Sequence, residues 1–319
     1  MKTAGIGDTV LLSAVIKDIQ EKLPGVDIVL FTGENNYEMG KILGEIYGLR
    51  VRKVPIKRLF QAVSIIREYE FDVWFDFGQW PRFDALLTYF SRSKIKVGFK
   101  TIGQKRHYVY DIVVEHSPNL HEVENFRRII KTVGLDSNNS IEFPLKPVEK
   151  DSKLVVIHMF PGGTKSFIKE WPEKNWIDFV DLLTDKGYRV VLTGAKGDRE
   201  RALAILDKCK HKEMVEVVAG AMGLREVLKL LQKSILVVSV NTGIMHIASA
   251  LRCNLVALHG PTSIKRWGPL NKNSVSVKSP LKCSPCLNLG FEYGCNENKC
   301  MRAIDLHAVI EAARKFIEI

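Results

Sequence analysis

The stretch Ser234-Ile235-Leu236-Val237-Val238-Ser239-Val240-Asn241-Thr242-Gly243-Ile244-Met245-His246-Ile247-Ala248-Ser249-Ala250-Leu251 decides the fold. Up to Val240 it is short, apolar and rich in β-branched residues, which reads as a parallel strand buried on both faces. Asn241, Thr242 and Gly243 make a turn, and small residues continue as a helix. A strand that feeds a helix N-terminus is the standard place for a phosphate in a doubly wound sheet. Backbone N–H groups at Asn241, Thr242 and Gly243 are expected to face that phosphate, with His246 in the first turn reaching the same point. A second strand, Leu255–Leu258, follows and opens into Gly260-Pro261-Thr262 and Arg266-Trp267-Gly268-Pro269.

Working outward, strand-like and helix-like runs alternate along the whole chain, which argues for parallel α/β layers. Strands are expected at Val26–Phe31, Phe71–Phe77 and Ile95–Phe99, then at Leu154–Met159, Arg189–Thr193, Met214–Val218 and Ile235–Val240. Helices are expected at Thr9–Leu23, Leu59–Tyr69 and Val123–Val133, then at Glu173–Asp185, Asp198–Lys208 and Leu224–Gln232. Pro144 and Pro147 bracket a polar stretch that cannot be helical. The fold class is therefore α/β, with two doubly wound Rossmann-like domains, residues 1–148 and 149–319.

The start of the chain carries Gly5-Ile6-Gly7-Asp8-Thr9-Val10-Leu11. Leu11, Leu12, Val15, Ile16, Ile19 and Leu23 recur at helical spacing, so Asp8 is expected at the N-cap of an amphipathic helix. The flanking glycines, Gly7 among them, let another molecule approach the backbone. On its own this carboxylate is a cap. Only Met1 to Ala4 precede the turn, so the strand that should introduce it is missing from the sequence pattern.

Four motifs occur in order: Gly5-Ile6-Gly7-Asp8, Trp171-Pro172-Glu173-Lys174-Asn175-Trp176, Asn241-Thr242-Gly243 with His246, and Gly260-Pro261-Thr262 with Arg266-Trp267-Gly268-Pro269. Together they resemble the heptosyltransferase family of bacterial glycosyltransferases, family 9. The resemblance implies the glycosyltransferase-B fold, with the active site in the interdomain cleft and the last helix, about Asp305–Phe316, packing back on the first domain. It implies that Asp8 is a general base and that Lys169 stands beside the diphosphate of a nucleotide sugar. The implied reaction is an inverting, metal-independent transfer of heptose from ADP-heptose onto a lipopolysaccharide core, with no cofactor. The family more often has aspartate at the position of Asn241.

Other readings come from the residues. Thr164 and Lys165, in the loop Gly162-Gly163-Thr164-Lys165 after a strand, are further phosphate contacts. Arg82, Lys105 and Arg106 are cations that would hold an anionic acceptor. Trp171, Trp176 and Trp267 are packing residues. Cys283, Cys286, Cys295 and Cys300 form Cys-x2-Cys-x8-Cys-x4-Cys, set here as free thiols in a loop against a structural metal site.

The net charge is +11, with +3 in residues 1–148 and +8 in the remainder. A basic balance suits a phosphate-bearing ligand or an anionic membrane surface. No basic helix or aromatic-studded sheet motif points to nucleic acid. No apolar stretch approaches transmembrane length and no signal peptide is read, so a cytoplasmic enzyme in peripheral contact with the inner face of the membrane is expected. Alternatives are a glycosyltransferase, epimerase or hydrolase of this fold with another nucleotide sugar, and a metal-binding interaction protein organised by the cysteines.

Overall fold

The computed structural model describes residues 1–79, 82–136, 138–163, 165–287 and 295–319. They divide into two compact units, Met1–Phe143 and Pro144–Ile319.

The first unit runs α1 (Ile6–Lys22), β1 (Val29–Thr32), α2 (Tyr37–Tyr47), β2 (Arg50–Lys53), α3 (Leu59–Ile66), β3 (Glu70–Asp76), α4 (Arg82–Phe90), β4 (Arg92–Lys100), β5 (Ile112–Glu115) and α5 (Glu122–Lys131). β1 pairs with β2, and β3, β4 and β5 form a second sheet, all parallel. The strand missing from the sequence pattern is not formed as a regular strand. Its place is taken by the extended main chain of residues 1–3. Lys2 N donates to Phe31 O (3.0 Å), Met1 N to Phe75 O (2.6 Å), and Phe77 N to Met1 O (3.0 Å). This segment bridges the two sheets into one parallel layer.

α1 differs from the amphipathic helix expected. It begins at Ile6, and ten of its residues are buried, among them the polar Thr9, Ser13 and Asp18. α2 and α5 both pack on it, so little of its circumference is left for solvent. Against β1 and β3, Phe31 stacks on Trp74 at 5.2 Å between ring centroids, and Phe71 meets the same indole edge-on at 5.3 Å. Trp74 Nε1 donates to Thr88 Oγ1 at 2.9 Å, which ties α4 to β3.

The second unit contains β6 (Asp151–His158), α6 (Glu173–Asp185), β7 (Arg189–Thr193), α7 (Arg199–Leu206), β8 (Val215–Val217), α8 (Leu224–Lys233), β9 (Ser234–Val240), α9 (Gly243–Ala250), β10 (Leu255–His259), α10 (Ile264–Trp267), β11 (Ser274–Lys278), α11 (Lys299–Arg302) and α12 (Leu306–Ala313). Its parallel sheet has the order β11-β10-β9-β6-β7-β8. The winding reverses between β6 and β9, and such a reversal opens a crevice at the C-terminal strand ends. β9 and β10 are apolar and almost wholly buried, as strands covered on both faces must be.

Trp171 and Trp176 pack edge-to-face at 4.9 Å, and Trp171 Nε1 donates to Ile304 O at 2.9 Å. This pins the segment leading into α12. The last helix, α12, places Val309, Ala312 and Ala313 in the core of the second unit.

Gly98 in β4 lies against the ring of Tyr110, so a Cβ there would overlap the ring. Tyr110 cannot retreat, because its hydroxyl donates to Asp76 at 2.6 Å and accepts from Arg106 Nε at 2.9 Å. Gly98→Ala is therefore expected to destabilise the protein by about 1–3 kcal/mol, the usual cost of overpacking. An unchanged urea midpoint would reject this.

Candidate active site

In the first unit the winding reverses between the residue 1–3 segment and β3. The segments that leave these two neighbours carry Asp8, in the first turn of α1, and Gln79, in the loop after β3. Gly5 turns the chain with φ at +86°, and a Cβ there would strike the Asp8 carboxylate. Asp8 is not the N-cap as expected. It is the third residue of α1, still within the first turn, where the helix dipole favours negative charge. Gln79 Nε2 donates to Asp8 Oδ1 at 2.7 Å, and Lys2 Nζ stands 3.1 Å from the same oxygen. Lys2 is buried, and also donates to Phe77 O at 3.3 Å and to Gln79 Oε1. Two convergent donors fix the rotation of a carboxylate that remains one-fifth exposed. Gly7, next to it in α1, is half-buried.

Beneath this lies a buried polar layer. Thr3 Oγ1 donates to Asp84 Oδ1, and Asp76 accepts from Arg106, from Tyr110 and from Gly78 N at 2.8 Å. Arg106 was expected to hold an anionic acceptor, and this is corrected. Its side chain is fully buried and paired with fully buried Asp76. A buried guanidinium without its carboxylate would be costly, so Arg106 is committed to the fold. Arg82 is exposed and donates Nε to Gln104 O at 3.3 Å.

In the second unit the reversal places the loop after β6 beside the loop after β9. Thr242 caps α9, its Oγ1 accepting from Met245 N at 3.4 Å. The N–H groups of Gly243 and Ile244 have no intrahelical acceptors, as at any helix start, and such donors suit an anion. Asn241 differs from expectation. Its N–H donates to Leu258 O (3.2 Å) and its side chain to Trp267 O (3.2 Å). The residue thus anchors the turn, and the anion-facing donors come after it. His246 is buried one turn into α9.

The loop after β6 holds the lysines. Lys169 is half-buried and donates to Gly162 O at 2.9 Å, and burial lowers its pKa. Lys165 adopts a left-handed backbone and donates to Asn296 Oδ1 at 2.9 Å. Thr164 lies outside the described residues.

Sequence reasoning missed four residues here. Lys2 and Gln79 gave no local signal, since each meets Asp8 only through the sheet. His158 and His259 close the C-terminal ends of β6 and β10. Burial pushes their pKa values down to about 4 and about 3, with His246 adding to the effect at His259. His158 Nδ1 meets Thr193 Oγ1 at 2.9 Å, and His259 Nε2 has no hydrogen-bond partner among the described residues. A polar residue ending an apolar strand was the signal for both.

The four C-terminal cysteines are free thiols, with Cys300 buried, Cys286 half-buried and Cys283 and Cys295 exposed. Among the described residues, no three His, Cys, Asp or Glu side chains gather as metal ligands.

The profile of glycosyltransferase family 9 (heptosyltransferase) matches residues 59–297. The chain belongs to this family. Lipopolysaccharide heptosyltransferase 1 of Pseudomonas aeruginosa is 31% identical over 145 residues, which cover 42% of this chain and 37% of that protein. The Escherichia coli K12 protein of the same name is 33% identical over 123 residues, covering 38% of this chain and 37% of its own length. The chain thus spans well under half the length of these curated relatives. E. coli heptosyltransferase WaaC with ADP superposes with a TM-score of 0.76 at 23% identity, over 99% of both chains. A family 9 glycosyltransferase from Veillonella parvula gives 0.80 at 15%, over 99% of this chain and 95% of that one. These structural likenesses establish a common fold, the glycosyltransferase-B architecture.

Asp84 supplies a pH prediction. Burial, and then the charge of Asp76, raise its pKa to about 6, and its Oδ2 has no hydrogen-bond partner among the described residues. An unfolded aspartate titrates near about 3.9. The folded value is the higher one, so this group's contribution to stability is complete below about pH 4 and lost as pH rises through about 6. Asp84→Asn stays neutral throughout. It is expected to match the wild type near pH 4 and exceed it by up to about 3 kcal/mol above pH 6. Parallel urea unfolding curves at both pH values would reject the assignment.

Proposed function

We propose that the protein is an inverting glycosyltransferase that moves heptose from ADP-heptose onto a lipopolysaccharide core saccharide. The observation that carries this is the Asp8 carboxylate, oriented through one oxygen by Lys2 and Gln79 and still open to solvent. Asp8 takes the proton of an acceptor hydroxyl as that oxygen attacks the anomeric carbon. The bond to the departing ADP breaks on the opposite face of the sugar, so configuration inverts. The N–H groups at the start of α9 and the Lys169 ammonium neutralise the charge growing on the leaving diphosphate. This chemistry is complete without a metal ion or cofactor.

Support for the donor comes from WaaC, which has been solved with ADP and with ADP-2-deoxy-2-fluoro heptose. A lipid-linked acceptor would bring the enzyme to the inner face of the cytoplasmic membrane. Of the three expected acceptor cations, Arg82 and Lys105 stay exposed for an anionic group on the saccharide.

The test is Asp8→Asn. Turnover of ADP-heptose is expected to fall by about 10²–10⁴, while ADP still raises the melting temperature by mass action. Near-wild-type turnover would overturn the role of Asp8. Gly243→Val should abolish the ADP-dependent shift, because a branched side chain blocks approach to the first N–H groups of α9. A larger shift with UDP or GDP than with ADP would move the donor to another nucleotide sugar.

A further inference from the structure

The loop after β6 and the loop after β10 flank the start of α9, because β9 lies between those two strands. The cysteine-bearing segment grips both loops. Cys286 N and Leu287 N donate to Pro261 O at 2.9 and 2.8 Å, and Cys300 packs under Gly260, its sulfur 3.1 Å from where a Cβ would stand. On the other side Asn298 Nδ2 donates to Phe167 O at 3.0 Å and to Glu170 O at 2.7 Å. Asn296 Oδ1 accepts from Lys165 Nζ at 2.9 Å. Each grip thus has a cysteine at its root, Cys286 at the β10 loop and Cys295 at the lysine loop. These two adjoin. The Cys286 sulfur faces the main-chain N–H of Cys295, and the Cys295 charge acts on it more strongly than that of Cys283. Disulfides join Cα atoms about 4.4–6.8 Å apart, the spacing at which one sulfur can meet the other residue's N–H. Cys295 Sγ donates to Glu297 O at 2.8 Å, so a turn about its Cα–Cβ bond gives up that weak contact and brings the sulfur round.

We propose that Cys286 and Cys295 are a reversible disulfide pair that clips the β10 loop to the lysine loop beside the start of α9. The oxidant is a small-molecule disulfide of the glutathione type. Exposed Cys295 attacks it as the thiolate, forms a mixed disulfide and releases one small thiol. The Cys286 sulfur then attacks the Cys295 sulfur. The protein S–S bond forms, the bond to the small molecule breaks, and the second small thiol leaves. Two protein thiols are oxidised, one small disulfide is reduced, and the two thiol protons end on the two small thiols. The order follows from the surroundings. Burial, and then the Cys295 charge, raise the pKa of half-buried Cys286, and the thiolate is the attacking form. Cys300 is buried, away from an oxidant in solution. In a reducing compartment such a pair is a switch and not a staple. With the pair reduced, the bond from Lys165 to Asn296 can open and release the ammonium to a phosphate. With it oxidised, Asn296 is tethered one residue from the crosslink and keeps Lys165. This consequence, though not the crosslink, rests on the reading of the crevice as the diphosphate site.

Oxidised glutathione applied to the full chain tests it. After free thiols are blocked and the chain is digested, mass spectrometry is expected to find one peptide pair joined through Cys286 and Cys295, lost on reduction with dithiothreitol. Cys283→Ser should form the same crosslink, whereas Cys286→Ser should stop with glutathione attached to Cys295. By calorimetry, ADP should bind the oxidised protein about tenfold more weakly than the reduced one, the scale of one hydrogen bond to a charged group. Cys286→Ser/Cys295→Ser should bind ADP as the reduced wild type does, whether or not the oxidant was present. Lys165→Ala should be weakened and indifferent to oxidation. No crosslink, or one through Cys283 or Cys300 instead, would overturn the pair. So would a stoichiometric metal ion that shields all four thiols from glutathione, which would assign them to a metal site. Equal or tighter ADP binding by the oxidised wild type would sink the link to Lys165. The Cys286–Cys295 crosslink in a protein that binds no ADP in either state would sustain the pair and count against the proposed donor site.

Discussion

The first unit depends on the main chain of residues 1–3. These residues hydrogen-bond to Phe31 on one side and to Phe75 and Phe77 on the other. Without them the unit is a two-stranded ribbon and a three-stranded sheet with unpaired edges between them, and an isolated pair of strands is at best marginal. The same residues build the candidate site. Lys2 O accepts from Asn36 Nδ2 at 2.9 Å, the Lys2 ammonium meets Asp8 and Gln79, and the Thr3 hydroxyl reaches Asp84. Sheet continuity and the orientation of the carboxylate are therefore one constraint. A shift of the segment by one residue would turn Lys2 to the other face and break both together.

The two units solve the same problem in the same way. In each, apolar parallel strands end at a reversal of winding, and the polar groups are set at that end: Asp8 and Gln79 in the first, the α9 N-terminus and the lysine loop in the second. The layer under Asp8 shows what this requires. Asp76, Asp84, Arg106 and Lys2 are all buried, and charges so placed are tolerable only with partners. Arg106 answers Asp76, and Lys2 answers Asp8. Asp84 is hydrogen-bonded by the Thr3 hydroxyl, and burial and then the Asp76 charge raise its pKa against the opposing influence of Arg106 and Lys2.

Much of this was legible in the sequence where one element decides its own state. Glu173–Asp185 and Arg189–Thr193 are observed at the expected bounds, because helical periodicity and a β-branched run need no outside help. The strand-to-helix turn at Asn241 is of the same kind. β2, Arg-Val-Arg-Lys, was not read. It is an edge strand whose cations face solvent, so its alternation carries one apolar residue. Residues 1–3 were read as a missing strand because three residues have no period. Arg106 was read as an exposed cation because burial of an arginine is set by Asp76, thirty positions away and invisible to any local window. Lys2 and Gln79 were missed for the same reason. The residues legible from sequence are those whose environment is made by their neighbours in the chain, and the site is built largely from residues whose environment is not.

Backbone strain falls on cations. The non-glycine residues with positive φ are Lys105, Lys165 and Arg252. A left-handed conformation costs an L-residue roughly 1–2 kcal/mol, and glycine would relieve it. Lys105 and Lys165 both sit in loops at the C-terminal ends of strands, β4 and β6. For Lys165 the strain is offset inside the chain by the bond to Asn296. Lys105 makes no such side-chain bond among the described residues, and it lies in the loop between β4 and β5, where an exposed backbone tolerates the left-handed conformation.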